Sequence, residues 1–225
     1  MKTKTMLMTA AVGIGTAISA LAAGEVYSVN VVGYATVTNL PSKFNLIAPP
    51  LKNGSNILNQ IFTNLPPYSA VYLWQDGWTY FSYDPDYGLN DGAVVADYIG
   101  LNPGQCCFFY YDQATTNFPL TFVGEVVQGV ISNNIPENKL TFMSMPIPVT
   151  TSLTNAALNF PSAPYDTIYK WDPNVGWAVF SYDPDYGWND GAQQIDMNFQ
   201  IGEGFLYIRG AGNGDAHWQF TYTVQ

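Results

Sequence analysis

The residues best able to do chemistry lie in Phe81-Ser-Tyr-Asp-Pro-Asp-Tyr-Gly-Leu-Asn-Asp-Gly-Ala93. The stretch returns as Phe180-Ser-Tyr-Asp-Pro-Asp-Tyr-Gly-Trp-Asn-Asp-Gly-Ala192, with one difference in thirteen positions, Leu89 against Trp188. Asp84, Asp86, Asn90 and Asp91, with Asp183, Asp185, Asn189 and Asp190, are hard oxygen donors of the kind calcium takes. Three carboxylates within eight residues repel one another, which a cation would relieve. The Asp-x-Asp-x-Gly opening is like the start of a calcium loop. However, Gly88 occupies the third ligand position, and Val95 stands where a bidentate Glu would close an EF-hand. The competing reading is a tight turn, in which Pro85 fixes φ, Asp side chains accept nearby backbone N–H groups, and Gly88 and Gly92 take positive φ.

The aromatic residues also read two ways. Trp78, Tyr87, Trp177, Tyr186 and Trp188 could stack on sugar rings, or Trp and Tyr could fill a thin β core. Trp188 stands apart, because it replaces Leu89 within a polar loop. Signatures of catalysis are sparse. His217 is the single histidine, and neither a G-x-S-x-G elbow nor a G-x-x-x-x-G-K-[ST] loop occurs. A pair of carboxylates about 5–10 Å apart could serve a glycosidase, but a repeated loop would imply two identical sites. The expectation is a protein that is not an enzyme.

The elements that must position these residues are strands. Tyr, Thr and Val are abundant and charged residues are scarce, which predicts an all-β chain. Residues 26–38 alternate as a strand, residues 44–48 form a second, and Gln75-Asp-Gly77 joins a hairpin. Ser55 as N-cap, with Ile57, Leu58, Ile61, Phe62 and Leu65 at helical spacing, predicts a helix of two or three turns before Pro66-Pro67. A second helix is expected over residues 151–158, with Leu153, Ala156 and Ala157 inward. Trp171 answers to Trp74 and Gly202 to Gly104, so two tandem, homologous, β-sandwich-like domains are predicted, at 23–128 and 129–225. On that count the strand at Val26 to Val32 has no partner element in the second half. Val26, Tyr27, Val29 and Val31 are left over as a strand that could pair within the chain or be donated to a neighbouring copy.

Residues 1–22 read as a secretory leader: Lys2 and Lys4, an apolar run, then Ala20-Leu-Ala22. Removing those two lysines from seven basic residues against seventeen acidic ones leaves 5 − 17 = −12. Such a chain lacks the basic patches that phosphate backbones require, so nucleic acid is excluded as a partner. No second long apolar run follows, so the mature chain is expected to lack a transmembrane segment. Cys106 and Cys107 are neighbours, and the expectation is one buried thiol and one nearer the surface.

Phe44-Asn-Leu-Ile-Ala-Pro-Pro50, Val71-Tyr-Leu-Trp74 and Leu101-Asn-Pro-Gly104 before an aromatic strand resemble a recurrent module of bacterial extracellular proteins. Residues 26–34, after the leader, are similar to uncharacterised secreted duplicated β-domain proteins of environmental bacteria. Gln105-Cys106 stands where the module has x-Gly, and Ile201 where it has Pro. The resemblance implies a structural, non-catalytic module. Two functions follow. The first is an extracellular or cell-surface structural protein that self-associates into filaments or a lattice by strand pairing. The alternative is a secreted carbohydrate-binding module that takes glycan on its loop aromatics.

Overall fold

The computed structural model describes residues 31–112 and 115–224. The leader and Val26, Tyr27 and Val29 of the expected assembly strand lie outside these. The described chain is nearly all antiparallel β, as the composition predicts. The first half holds β1 Val32–Asn39, β2 Asn45–Ile47, β3 Ala70–Trp74, β4 Trp78–Asp84, β5 Gly88–Asn90, β6 Cys107–Tyr110 and β7 Phe118–Glu125. The second holds β8 Gly129–Ile135, β9 Leu140–Ser144, β10 Thr151–Ser152, β11 Thr167–Asp172, β12 Gly176–Asp183, β13 Gly187–Asn189, β14 Asn198–Phe199, β15 Gly204–Ile208 and β16 Ala216–Tyr222.

Five strands form a sheet in the order β2-β6-β3-β4-β5, and five more repeat that order as β9-β15-β11-β12-β13. A two-stranded ribbon packs over each sheet, β1–β7 on the first and β8–β16 on the second. Strand alternation sends Val71, Leu73, Phe81, Phe109 and Phe122 into the first core. It sends Ile168, Phe205, Tyr207 and Trp218 into the second. Among the described residues no helix is long and apolar enough to cross a membrane.

Of the strand read as left over, Val26 to Val32, only Val31 and Val32 are described, and residues 32–39 continue from it as β1. They pair with β7 from Val32↔Glu125 to Asn39↔Phe118, and β8 on β16 is the same ribbon in the second half. The sequence conceals β8 because Ser132, Asn133 and Asn134 interrupt its apolar alternation. Both expected helices shrink. The first is one turn, Leu58–Ile61, whose N-cap is Ile57 rather than Ser55. Asn56 sits at φ +53°, and its buried side chain donates to Leu101 O, while Leu58 N donates to Ile99 O. The segment is thereby tied to the chain at 99–101 instead of extending a helix. In the second half, Thr151 pairs with Phe199 in β10–β14, and only a 3-10 turn remains, Ala156–Leu158. Leu153 is buried there, but Ala156 and Ala157 are exposed.

The adjacent cysteines are both buried, and neither forms a disulfide. Facing opposite sides of the β6 region, Cys107 enters the first core and Cys106 enters a third cluster with Leu46, Ala48, Phe108, Phe142 and Leu206. Burial pushes both thiols up from their ordinary value. The third cluster is the junction of the two five-stranded sheets, and its contacts are reciprocal. Ala48 N donates to Gly202 O and Ser144 N to Gly104 O, each at 3.0 Å. Ile47 bridges Glu203, and Met143 bridges Gln105. Cys106 stands opposite Gly204, where an added Cβ would lie 2.6 Å from the Cys106 Cβ. Glycine on one side makes room for cysteine on the other.

Candidate functional site

The repeated acidic loops come first, because their residue types invited a cation. In the first loop Asp84 Oδ1 accepts from Asp86 N and Tyr87 N at 2.8 and 3.3 Å, and Asn90 Oδ1 accepts from Gly92 N. Asp91 Oδ1 accepts from Ala93 N and Val94 N at 3.0 and 2.8 Å. The second loop copies each bond: Asp183 to Asp185 N and Tyr186 N, Asn189 to Gly191 N, Asp190 to Ala192 N and Gln193 N. Backbone donors hold the Asp91 and Asp190 carboxyls below the usual carboxylate range. Gly88 and Gly187 take φ near +70°, where a side chain would be strained. Three successive Asx turns therefore account for the repetition, each using a carboxylate or amide oxygen that a calcium cage would need. Among the described residues no group of three or more His, Cys, Asp or Glu is placed to hold a metal ion.

The loop aromatics separate. Trp188 is buried in the second core, as Leu89 is in the first. β13 and β5 are edge strands paired to β12 and β4, and alternation turns position 188 or 89 inward. Leu and Trp are thus two ways of filling equivalent core space, and Trp188 is not a loop-surface residue. Tyr87 and Tyr186 are exposed beside their own turns. His217 lies exposed on β16.

Trp78 and Trp177 do meet, with partners that loop reasoning missed. On β3 and β4, Val71, Leu73 and Phe81 face the core, so Tyr72, Trp74, Trp78 and Tyr80 occupy the opposite face. Cross-strand pairing sets Tyr72 beside Tyr80, and Trp74 beside Trp78. Across the junction Trp171 pairs with Trp177. Phe44, Tyr72, Trp78, Tyr80, Phe108, Trp171 and Trp177 line an open cleft of about 460 Å³ between the two sheets.

Phe108 is the floor of this cleft. Its ring centroid lies 6.1 Å from Trp78, 5.5 Å from Trp171, 5.9 Å from Trp177 and 5.9 Å from Phe44, mostly edge to face. Phe44 meets Tyr72 at 5.3 Å, and Tyr72 meets Tyr80 at 5.0 Å. Trp171 Nε1 donates to Phe44 O at 2.7 Å, which fixes that indole across the junction. The floor is buried but the walls are open: Trp78 is 56% exposed, Tyr80 48% and Trp177 42%. Among the described residues no charged side chain lines the cleft. Burial, with Tyr80 and Tyr110 nearby, raises the Tyr72 phenol above its ordinary value. At the rim, Tyr110 touches Phe44 at 5.1 Å and donates to Asp112 Oδ1 at 3.3 Å.

The signal that could have found this cleft is the period-two run of aromatics on paired strands, Tyr72 with Trp74 and Trp78 with Tyr80. Comparison with family models, curated proteins and solved structures gave no match.

Proposed function

We propose that the protein is non-catalytic and works outside the cell or on its surface by holding a ligand in the cleft between the two sheets. The observation that supports this is the cleft itself. Most large apolar side chains in the sheets are spent on cores, yet these seven aromatics converge on an opening. A concentrated, half-exposed apolar surface of this kind marks interaction sites in soluble proteins. The lining offers ring faces and phenol hydroxyls, without a carboxylate, thiol or imidazole. A phenol held above its ordinary value is a poor base at neutral pH. That inventory suits retention better than turnover.

A second reading, a self-associating surface protein, draws on the outward face of the β1–β7 ribbon. Tyr34, 80% exposed, pairs there with exposed Val123, next to Val32. Donation of the first strand is a narrower version of this reading. Within the described residues, Val31 O already accepts Val126 N and residues 32–39 are paired with β7.

Sedimentation velocity and electron microscopy of the mature protein, read together with tryptophan emission, separate the two. A monomer at high concentration with solvent-quenchable tryptophans supports the binding reading. Filaments or a lattice whose formation shifts tryptophan emission to the blue would mean that neighbouring copies fill the cleft, and would overturn it.

A further inference from the structure

Resting on the binding reading, we propose that the cleft takes a neutral glycan of pyranose rings with equatorial hydroxyls, and that Trp78 and Trp177 are its two stacking surfaces. Such a sugar is amphipathic by face. Its C–H hydrogens project above and below the ring, and its hydroxyls ring the edge. The C–H face carries slight positive charge and complements the negative face of an aromatic ring.

The arrangement matches that ligand in three respects. First, Trp78 and Trp177 come from different sheets and are both half-exposed, and each packs against Phe108 within about 6 Å, at 6.1 and 5.9 Å. Two half-exposed rings thus share one buried floor, and a ligand can contact both without dismantling the core. Second, charge selects for neutrality. The described lining is uncharged, and the chain carries a formal charge of −10. Uronates, sulfated sugars and phosphates would meet repulsion without a cation to offset it. Third, Tyr72 and Tyr80 stand side by side in the lining, ring centroids 5.0 Å apart, and each brings a hydroxyl that can donate to or accept from a sugar hydroxyl. The volume, about 460 Å³, is that of a pocket for several rings, within the usual range of about 300–1,000 Å³ for small-ligand sites.

An acidic protein with clustered aromatics also invites a quaternary ammonium ion. A cation cage, however, closes rings around one charge within about 6 Å of several centroids. Here Trp78 and Tyr80 lean open to solvent, and the space far exceeds a single ammonium head.

The test is titration of the mature protein with cellotetraose and xylotetraose, followed by tryptophan fluorescence and calorimetry. Oligogalacturonate, glycine betaine and a proline-rich peptide serve as competing probes. The expected result is saturable binding of a neutral tetrasaccharide, with a shorter disaccharide weaker and oligogalacturonate silent. Trp78→Ala and Trp177→Ala should each weaken binding roughly tenfold or more, and Trp177→Phe less. Unchanged thermal unfolding of each variant shows that the fold survives. Should betaine or the peptide bind instead, with the same loss in Trp78→Ala, the glycan class is wrong and the binding reading stands. Should no probe perturb the tryptophans, both fall.

Discussion

Phe44, Tyr80 and Phe108 line one side of the junction between the sheets, and the positions that answer to them across it hold Leu140, Val179 and Leu206. The strand frame is the same on both sides, with Trp74 and Trp78 answered by Trp171 and Trp177. One side opens as an uncharged aromatic cleft. Leu140, with Trp74 and Phe142, instead lines a separate cavity of about 330 Å³ that also holds Gln75, Gln105 and an ion pair, Lys139 to Asp76 at 3.6 Å. The most faithfully repeated residues, in the Asx-turn loops, are held by bonds to their own backbone, whereas the cleft combines repeated aromatics, Trp78 and Trp177 among them, with Phe44, Tyr80 and Phe108, where the halves differ. Identity in the loops measures local constraint, and divergence at those three positions sets the two sides of the junction apart.

The largest expected effect comes from the floor. Phe108→Ala removes a buried ring that touches aromatics of both sheets, and should cost about 3–5 kcal/mol in urea unfolding. Leu206→Ala, its counterpart, should cost less, because a smaller group leaves a smaller cavity. Equal losses would mean that the two sides of the junction are not energetically distinct.

Next is the cysteine–glycine seam. Gly204→Ala forces a Cβ against Cys106 Cβ and Leu46, and overpacking of this kind costs about 1–3 kcal/mol. Cys106→Gly in the same chain should restore most of that loss. A double-mutant cycle without coupling would place the strain elsewhere.

Converting one side into the other is a finer test. Phe44→Leu with Tyr80→Val copies the Leu140 and Val179 side into the cleft. Ligand binding should fall roughly tenfold or more, while each change moves stability by about 1 kcal/mol or less, since both side chains are partly exposed. Full binding by this variant would remove the comparison's functional meaning.

The smallest effects belong to the loops. Asp91 and Asp190 titrate lower folded than unfolded. Their contribution is present above the unfolded value near 4 and is lost as pH falls through the folded one. Asp91→Asn with Asp190→Asn keeps an acceptor without the charge, so its stability should fall less steeply than the parent's below about pH 4. On the turn reading, in which Asp84 Oδ1 and Asp91 Oδ1 serve backbone donors, calcium should leave the thermal midpoint unchanged. A calcium-dependent rise that Asp86→Ala with Asp185→Ala abolishes would restore the cation reading.

Much of this architecture is legible in the chain. Gln75-Asp76-Gly77 between two aromatic runs gives the β3–β4 hairpin, and the loop glycines mark real positive-φ turns. The site is less legible. Trp188 in a polar loop reads as exposed until edge-strand pairing turns it inward, and one of the two adjacent thiols reads as nearer the surface until a second sheet covers Cys106.

The sequence by itself determined the all-β character, the hairpin and loop turns, and the acidic balance, because propensity, turn chemistry and charge act within a few residues of their source. Tertiary structure decided the rest. Whether Asn56 starts a helix, whether polar β8 becomes a strand, and which face of β6 is dry depend on partners as far away as β16 and β9. The cleft is the extreme case. Phe44 and Trp171 are 127 residues apart, and only docking of one sheet on the other lets an indole N–H bond a distant carbonyl and gather seven rings around one opening.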